Sequence, residues 1–293
     1  MGRERWLLLG AFGVVYFVWG STYLANTWAI ETIPPFMMCG SRFALAGALL
    51  FTFTLKMGGP WPTLRQWANA GLIGVLFLTI GTASTVWALQ FIPSSLAALI
   101  VAFDPLLIML LMWGLIGSKP GSKAFFGAGI SIVGVSLLVG QPQLSGDTAT
   151  YKGLLAIGVA LLSWAFASIY TSRIDMGKNR VRATSMQMLV GGFLILIFSF
   201  LIGEHQSWNL NMVNSRSFYS WVYLVFFGSI LAFSAFNYLL LRVSPEKVAT
   251  STYVNPVVAL LLGGLFNNEL ITTQSLVAGG VMLTGVYFIN SAK

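Results

Sequence analysis

Ten stretches of about twenty residues, nearly free of charge, follow one another through this 293-residue chain, and each is long enough to cross a bilayer as one helix. They are residues 7–30, 34–55, 67–91, 95–116 and 123–140, then 152–174, 183–203, 219–241, 247–266 and 274–290. A helix pairs its own backbone groups, which hydrocarbon demands, so the expected fold class is an all-α integral membrane protein with ten transmembrane helices. Hydrophobic residues make up 57% and charged residues 8%, a balance that excludes a soluble globular domain, a disordered chain and a collagen-like fibre. The first run is too long for the apolar region of a cleaved signal and has no convincing small-residue cleavage site, so it reads as a retained span.

A net charge of +8 would suggest a nucleic-acid partner in a soluble protein, so the placement of the charge decides its meaning. An even number of spans returns both termini to one side. That side takes Arg3, Arg5, Lys56, Arg65, Lys119, Lys123, Arg173, Lys178, Arg180, Arg182, Arg242, Lys247 and Lys293, against Lys152 and Arg216 opposite. Thirteen against two is a positive-inside bias: both termini are expected in the cytoplasm, and no nucleic-acid partner is implied. The longest external segment, 204–218, is too short for a separate soluble domain. With Cys39 and His205 alone of their kinds, there is no disulfide framework and no metal-ligand cluster, so neither metal nor cofactor is expected. No phosphate-cradling glycine loop ending in Gly-Lys-Ser/Thr is present, and no span carries a Ser-His set or a pair of acids. An ATP-driven pump and an intramembrane enzyme are both disfavoured.

Sliding the chain against itself by 151 residues places Pro105 on Pro256, Leu89 on Leu240, Gly129 on Gly280 and Gly134 on Gly285. Asp104-Pro105 thereby matches Asn255-Pro256, and an offset of 145 places Trp19 on Trp164. The chain reads as two five-helix repeats, 1–140 and 152–293, joined by an external linker at 141–151. Five is odd, so the second copy enters the membrane from the opposite side. Such 5+5 inverted-topology repeats recur in secondary transporters, with the substrate held between the repeats near the midplane. A duplicated membrane scaffold without transport is the plainer alternative.

Trp19-Gly20-Ser21, Arg42-Phe43 followed by Ala46, the Asp-Pro and Asn-Pro helices, the glycine-rich fifth and tenth spans, and Trp164-Ala165 leading to Arg173 are a recognisable set. In this order they resemble the drug/metabolite transporter superfamily, in its ten-helix EamA-type members, over almost the whole chain. Within it the chain looks most like bacterial exporters of amino acids and related metabolites, aromatic amino acids in particular. That resemblance implies efflux across the bacterial inner membrane.

Arg42 lies eight residues past Pro34 and Asp104 nine past Ser95, which puts both ~12 to 14 Å below the outer surface. A charge at that depth is costly and is by default a functional hypothesis; here the shared depth allows a structural pair, a substrate contact or a proton-coupling role. Pro105 and Pro256 remove mid-helix donors and free the carbonyls of Val101 and Thr252, so they mark a candidate hinge or site. Trp19, Tyr23 and Asn26 share a helical face. With Ser84, Trp87, Trp164, Ser168, Asn237, Tyr238, Tyr253 and Asn255 they supply the aromatic rings and hydrogen-bonding groups that suit a small apolar or zwitterionic molecule. Trp6, Trp61, Trp67 and Trp208, at span ends, read as interfacial anchors. Gly40, Ala44 and Ala48 read as a small-residue packing stripe.

The expected function is therefore export of small neutral metabolites, amino acids including aromatic ones, by alternating access, with the substrate and the lipid bilayer as the partners and no obligatory protein partner. Efflux of hydrophobic cationic drugs is the alternative, with Asp104 as the buried acid it would use.

Overall fold

The computed structural model describes residues 2–117, 119, 121–139, 148–206, 208–243, 248 and 251–291. Its helices are α1 (Gly2–Ala29), α2 (Pro35–Lys56), α3 (Leu64–Ala88), α4 (Ser94–Leu115), α5 (Ser122–Val139), α6 (Thr148–Thr171), α7 (Arg180–Leu201), α8 (Ser215–Leu240), α9 (Ser251–Phe266) and α10 (Thr273–Ser291). Seven of them, α1 to α4 and α6 to α8, are long and apolar enough to cross a membrane; two shorter apolar helices are Ser122–Gly134 and Val254–Phe266. Most of the linker expected at 141–151, and the start of the span expected at 247–266, lie outside the described residues.

Polarity is distributed as hydrocarbon requires. Leu155, Phe200, Leu201 and Leu265 stand exposed on the outside, whereas Arg42, Asp104, Gln187 and Asn237 are buried.

The packing is reciprocal. α2 packs on α7, and α5 on α10; α1 packs on α8 and α9, while α6 packs on α3 and α4. A Cβ added at Gly134 would meet the amide nitrogen of Met282 at 2.7 Å, and one added at Gly285 would meet that of Ser131 at 2.5 Å. Both pairs of contacts exchange under the 151-residue offset. Where α2 crosses α7, a side chain at Gly192 would run into the Ala44 amide, and one at Gly40 would meet the Leu196 nitrogen at 2.8 Å. Ala48 is exposed and takes no part in that seam.

Helix ends are satisfied by named groups. Pro35 occupies the first turn of α2, where its missing N–H costs nothing, and the next two amides, Phe36 and Met37, donate to Glu204 at 3.2 and 2.8 Å. At the other end of α2, Arg182 from the start of α7 donates to the carbonyls of Thr54 and Gly58, both at 2.9 Å, and of Pro60 at 2.7 Å. One helix is thus gripped at each end by a charge of the sign its dipole favours. α3 opens with a capping box between Thr63 and Gln66. Trp208 does more than anchor: its Nε1 donates to the Thr32 carbonyl at 2.7 Å and holds the α1–α2 turn.

Two features escaped hydropathy. α3 carries a π-helical segment, Val75–Thr82, and α8 carries one of the same length, Leu224–Leu231, 149 positions on. α4 breaks at Ala102 and Phe103 and restarts at Asp104 with Pro105 in its new first turn, while α9 runs on through Pro256.

Glu269, in the α9–α10 turn, caps α4. It accepts from the Ser94 amide at 3.2 Å, the Ser94 hydroxyl at 2.5 Å and the Ser95 amide at 3.0 Å. Partial burial pushes its carboxyl up, but the bonds from Ser94, Ser95 and Asn267 more than offset this and hold it below the usual 4.5. A carboxyl lowered on folding stabilises above about pH 4.5 and loses that contribution as pH falls through its lowered value. Glu269→Gln is expected to lower the melting temperature at pH 7 by roughly 2 °C, about 1 kcal/mol, with the gap to the parent closing as pH falls below the usual carboxylate value of 4.5. Scanning fluorimetry in detergent across that range checks it, and a pH-independent gap would contradict the cap.

Candidate functional site

The helices converge on a cavity of about 130 Å³. α1 lines it with Trp19, Thr22, Tyr23 and Asn26, one helical face; α2 adds Arg42 and Phe43; α3 adds Leu78, Thr82, Thr85 and Val86. From the other side come Val101, Asp104 and Ile108 of α4, Ala160, Leu161, Trp164 and Ser168 of α6, Gly228, Phe233, Phe236 and Leu240 of α8, and Ser251, Thr252 and Asn255 of α9. Both π segments contribute to the wall, through Leu78 and Thr82 and through Gly228; such segments are frequent at functional sites.

An aromatic group forms one side. The Trp19 ring lies 5.5 Å from Trp164, edge to face, and 4.8 Å from Phe236; Phe77 closes the group at 4.6 Å from Trp164. Trp19 Nε1 donates to the Gly228 carbonyl at 3.3 Å, so the indole is fixed in place.

Arg42 is held by neutral partners. Nε donates to Ser229 Oγ at 2.7 Å, Nη1 donates to Asn26 Oδ1 at 3.0 Å, and the guanidinium lies 4.6 Å from the Phe43 ring centre. A Cβ at Gly228 would stand 3.0 Å from Nη2, so this glycine makes the room the guanidinium occupies. Asp104 is 9% exposed and its Oδ1 has no hydrogen-bond partner among the described residues. Arg42 and Asp104 line the same cavity and, of the roles that equal depth left open, form no ion pair with each other. Among the described residues the ion pairs are Arg216 with Glu31 and Arg242 with Glu4, both toward helix ends.

Of the residues singled out in the sequence, Trp19, Tyr23, Asn26, Arg42, Asp104, Trp164, Ser168 and Asn255 meet at the cavity. Asn255, with its amide assigned from its hydrogen-bond network, donates to the Tyr16 carbonyl at 2.7 Å and thereby ties α9 to α1. Ser84 and Trp87 lie on α3 away from the cavity, and Trp87 packs edge-on to Phe91 at 4.8 Å. Asn237 is buried elsewhere, donating to Gln187 Oε1 and the Phe233 carbonyl, both at 3.2 Å. Tyr238 lies under the Arg242 guanidinium, 3.9 Å away. Pro105 and Pro256 do not line the cavity, and the side chain of Tyr253 lies outside the described residues. Thr22, Thr82, Thr85, Gly228 and Ser229 were not selected from sequence; helical spacing from Trp19 reaches Thr22, but nothing in the hydropathy marks the π segments.

Comparison with known proteins agrees with this architecture. A match to the EamA-like transporter family covers residues 5–140 and again 151–291. The uncharacterized inner membrane transporter YedA of Escherichia coli is 38% identical over 293 residues, covering 99% of this chain and 93% of that protein. A probable amino-acid metabolite efflux pump of Salmonella typhimurium is 25% identical over 287 residues, covering 94% of this chain and 92% of the pump. A solved crystal structure, 20% identical, superposes with a TM-score of 0.71 over 97% of this chain and 96% of its own, a likeness of fold.

Ser229→Ala removes the acceptor of Arg42 Nε in a buried site. The expected loss is about 1.5 to 3 kcal/mol of stability, read by thermal unfolding in detergent; a change within 0.5 kcal/mol would mean that this bond does not hold the guanidinium.

Proposed function

The chain belongs to the EamA-like transporter family and is a membrane transporter, and from that premise we propose that it exports small neutral metabolites, amino acids including aromatic ones, across the bacterial inner membrane by alternating access. The carrying observation is the cavity itself: aromatic rings, the Arg42 guanidinium and the unpartnered Asp104 carboxyl, enclosed by helices from both matched segments. Its volume of about 130 Å³ is small beside the ~300 to 1,000 Å³ of sites for drug-sized ligands, which favours a metabolite. Arg42 in the same wall counts against a cationic drug as the principal substrate. The name of the Salmonella relative, a probable amino-acid metabolite efflux pump, points the same way.

Two five-helix units, 1–140 and 152–293, joined by the linker at 141–151 and inverted relative to each other, are part of this reading. The doubled family match, the reciprocal packing, the paired π segments and the Gly134–Gly285 exchange all support it. The thirteen-to-two charge bias supports cytoplasmic termini.

Proteoliposomes loaded with unlabelled phenylalanine should take up labelled phenylalanine saturably, with the uptake blocked by threonine and methionine and unaffected by a nucleotide sugar. Movement of methyl viologen without amino-acid uptake would transfer the assignment to cationic drug efflux.

A further inference from the structure

The 151-residue offset pairs Asp104 with Asn255, and the two residues differ in one respect that chemistry makes decisive. An amide donates; an ionised carboxylate only accepts. Asn255 spends its donor on α1, bonding the carbonyls of Tyr16 and Val15 at 2.7 and 3.3 Å. Under the 145-residue offset those positions correspond to Leu161 and Ala160 of α6, the helix on which α4 packs. An ionised carboxylate at the Asp104 position has no donor with which to repeat that bond to a helix carbonyl. Asp104 Oδ1 is accordingly left without a partner, nine-tenths buried, in the wall of the cavity. A buried acceptor with no partner is costly, so a donor from outside the chain accounts for it best.

The donor's identity follows from the rest of the wall. Arg42 lines the same cavity and commits Nε and Nη1 to Ser229 and Asn26, while Nη2 makes no hydrogen bond among the described residues. A purely cationic ligand would meet Arg42 as a like charge, and a purely anionic one would meet Asp104. We propose that the cavity recognises a zwitterion by its two poles: Asp104 accepts from the ammonium of an α-amino acid, Arg42 Nη2 donates to its carboxylate, and the side chain lies against Trp19 and Trp164. This deepens the transport reading and rests on it for the choice of ligand class, while its test reads binding and not flux.

The experiment is isothermal titration of the full-length chain in detergent with phenylalanine, 3-phenylpropionate, which lacks the ammonium, and phenethylamine, which lacks the carboxylate. The parent chain should bind phenylalanine at least roughly tenfold more tightly than either analogue, the scale of one charge-assisted hydrogen bond. Asp104→Asn, which installs the residue found at the matching position, should weaken phenylalanine roughly tenfold and leave 3-phenylpropionate unchanged. Arg42→Lys, which keeps the charge, should retain more phenylalanine affinity than Arg42→Gln, and Arg42→Gln should leave phenethylamine unchanged. The analogue series on the parent chain stands whether or not a variant folds. Equal affinity for phenylalanine and phenethylamine, an Asp104→Asn chain with intact phenylalanine binding, or no binding of any of the three would overturn the proposal. Binding with the expected selectivity but without flux in proteoliposomes would instead sink the transport reading and leave the two-pole site standing.

Discussion

A backbone amide or a charge placed in hydrocarbon has no water to turn to, and the arrangement of this chain follows from that. Helices pair their own backbone, and where they end or break, specific groups take over. Glu204 and Arg182 grip opposite ends of α2, and Glu269 caps α4 from the turn before α10. Each of these contacts joins the first matched segment to the second, so the same bonds that satisfy helix ends also fix how the two segments meet. Close approach does the remainder: at Gly192 and Ala44, and again at Gly134 and Gly285, no side chain separates the backbones.

Across these reciprocal contacts the cavity is made asymmetric by a few substitutions. Asn255 closes a helix contact while Asp104, at the matching position, does not. Arg42 sits in a nest built by Ser229, Asn26 and the missing side chain of Gly228, all groups that hold a cation without neutralising it. Arg42 and Asp104 therefore face one low-dielectric chamber without bonding each other. That is the condition in which each interacts strongly with a ligand that brings its own counter-charge.

Much of this was legible in the sequence, for physical reasons. Hydropathy over twenty residues reports a helix's surroundings directly, so α1 to α4 and α6 to α8 stand close to where the apolar runs lie. Arg42 and Asp104 were legible because a charge inside an apolar run is conspicuous. Faces were less legible: Ser84 and Trp87 share α3 with Thr82 and Thr85, yet the latter two line the cavity and the former do not. A π segment adds about a residue per turn and rotates what lies beyond it, and Val75–Thr82 ends on Thr82 and precedes Ser84, Thr85 and Trp87. Ser229 was not legible at all, since a serine in a span bonds a neighbouring helix far more often than it seats an arginine.

The central claim is that one cavity between two matched segments is reached from both faces of the membrane in turn. Cysteine scanning tests it directly, because Cys39 is the sole native thiol and is buried. In a Cys39→Ala chain, Thr85→Cys and Ser168→Cys each place one thiol in the cavity wall, to be challenged with a membrane-impermeant maleimide from either side of oriented vesicles. The account predicts that each position is labelled from both sides and that phenylalanine slows both reactions. Labelling from one face alone, with and without phenylalanine, would contradict it.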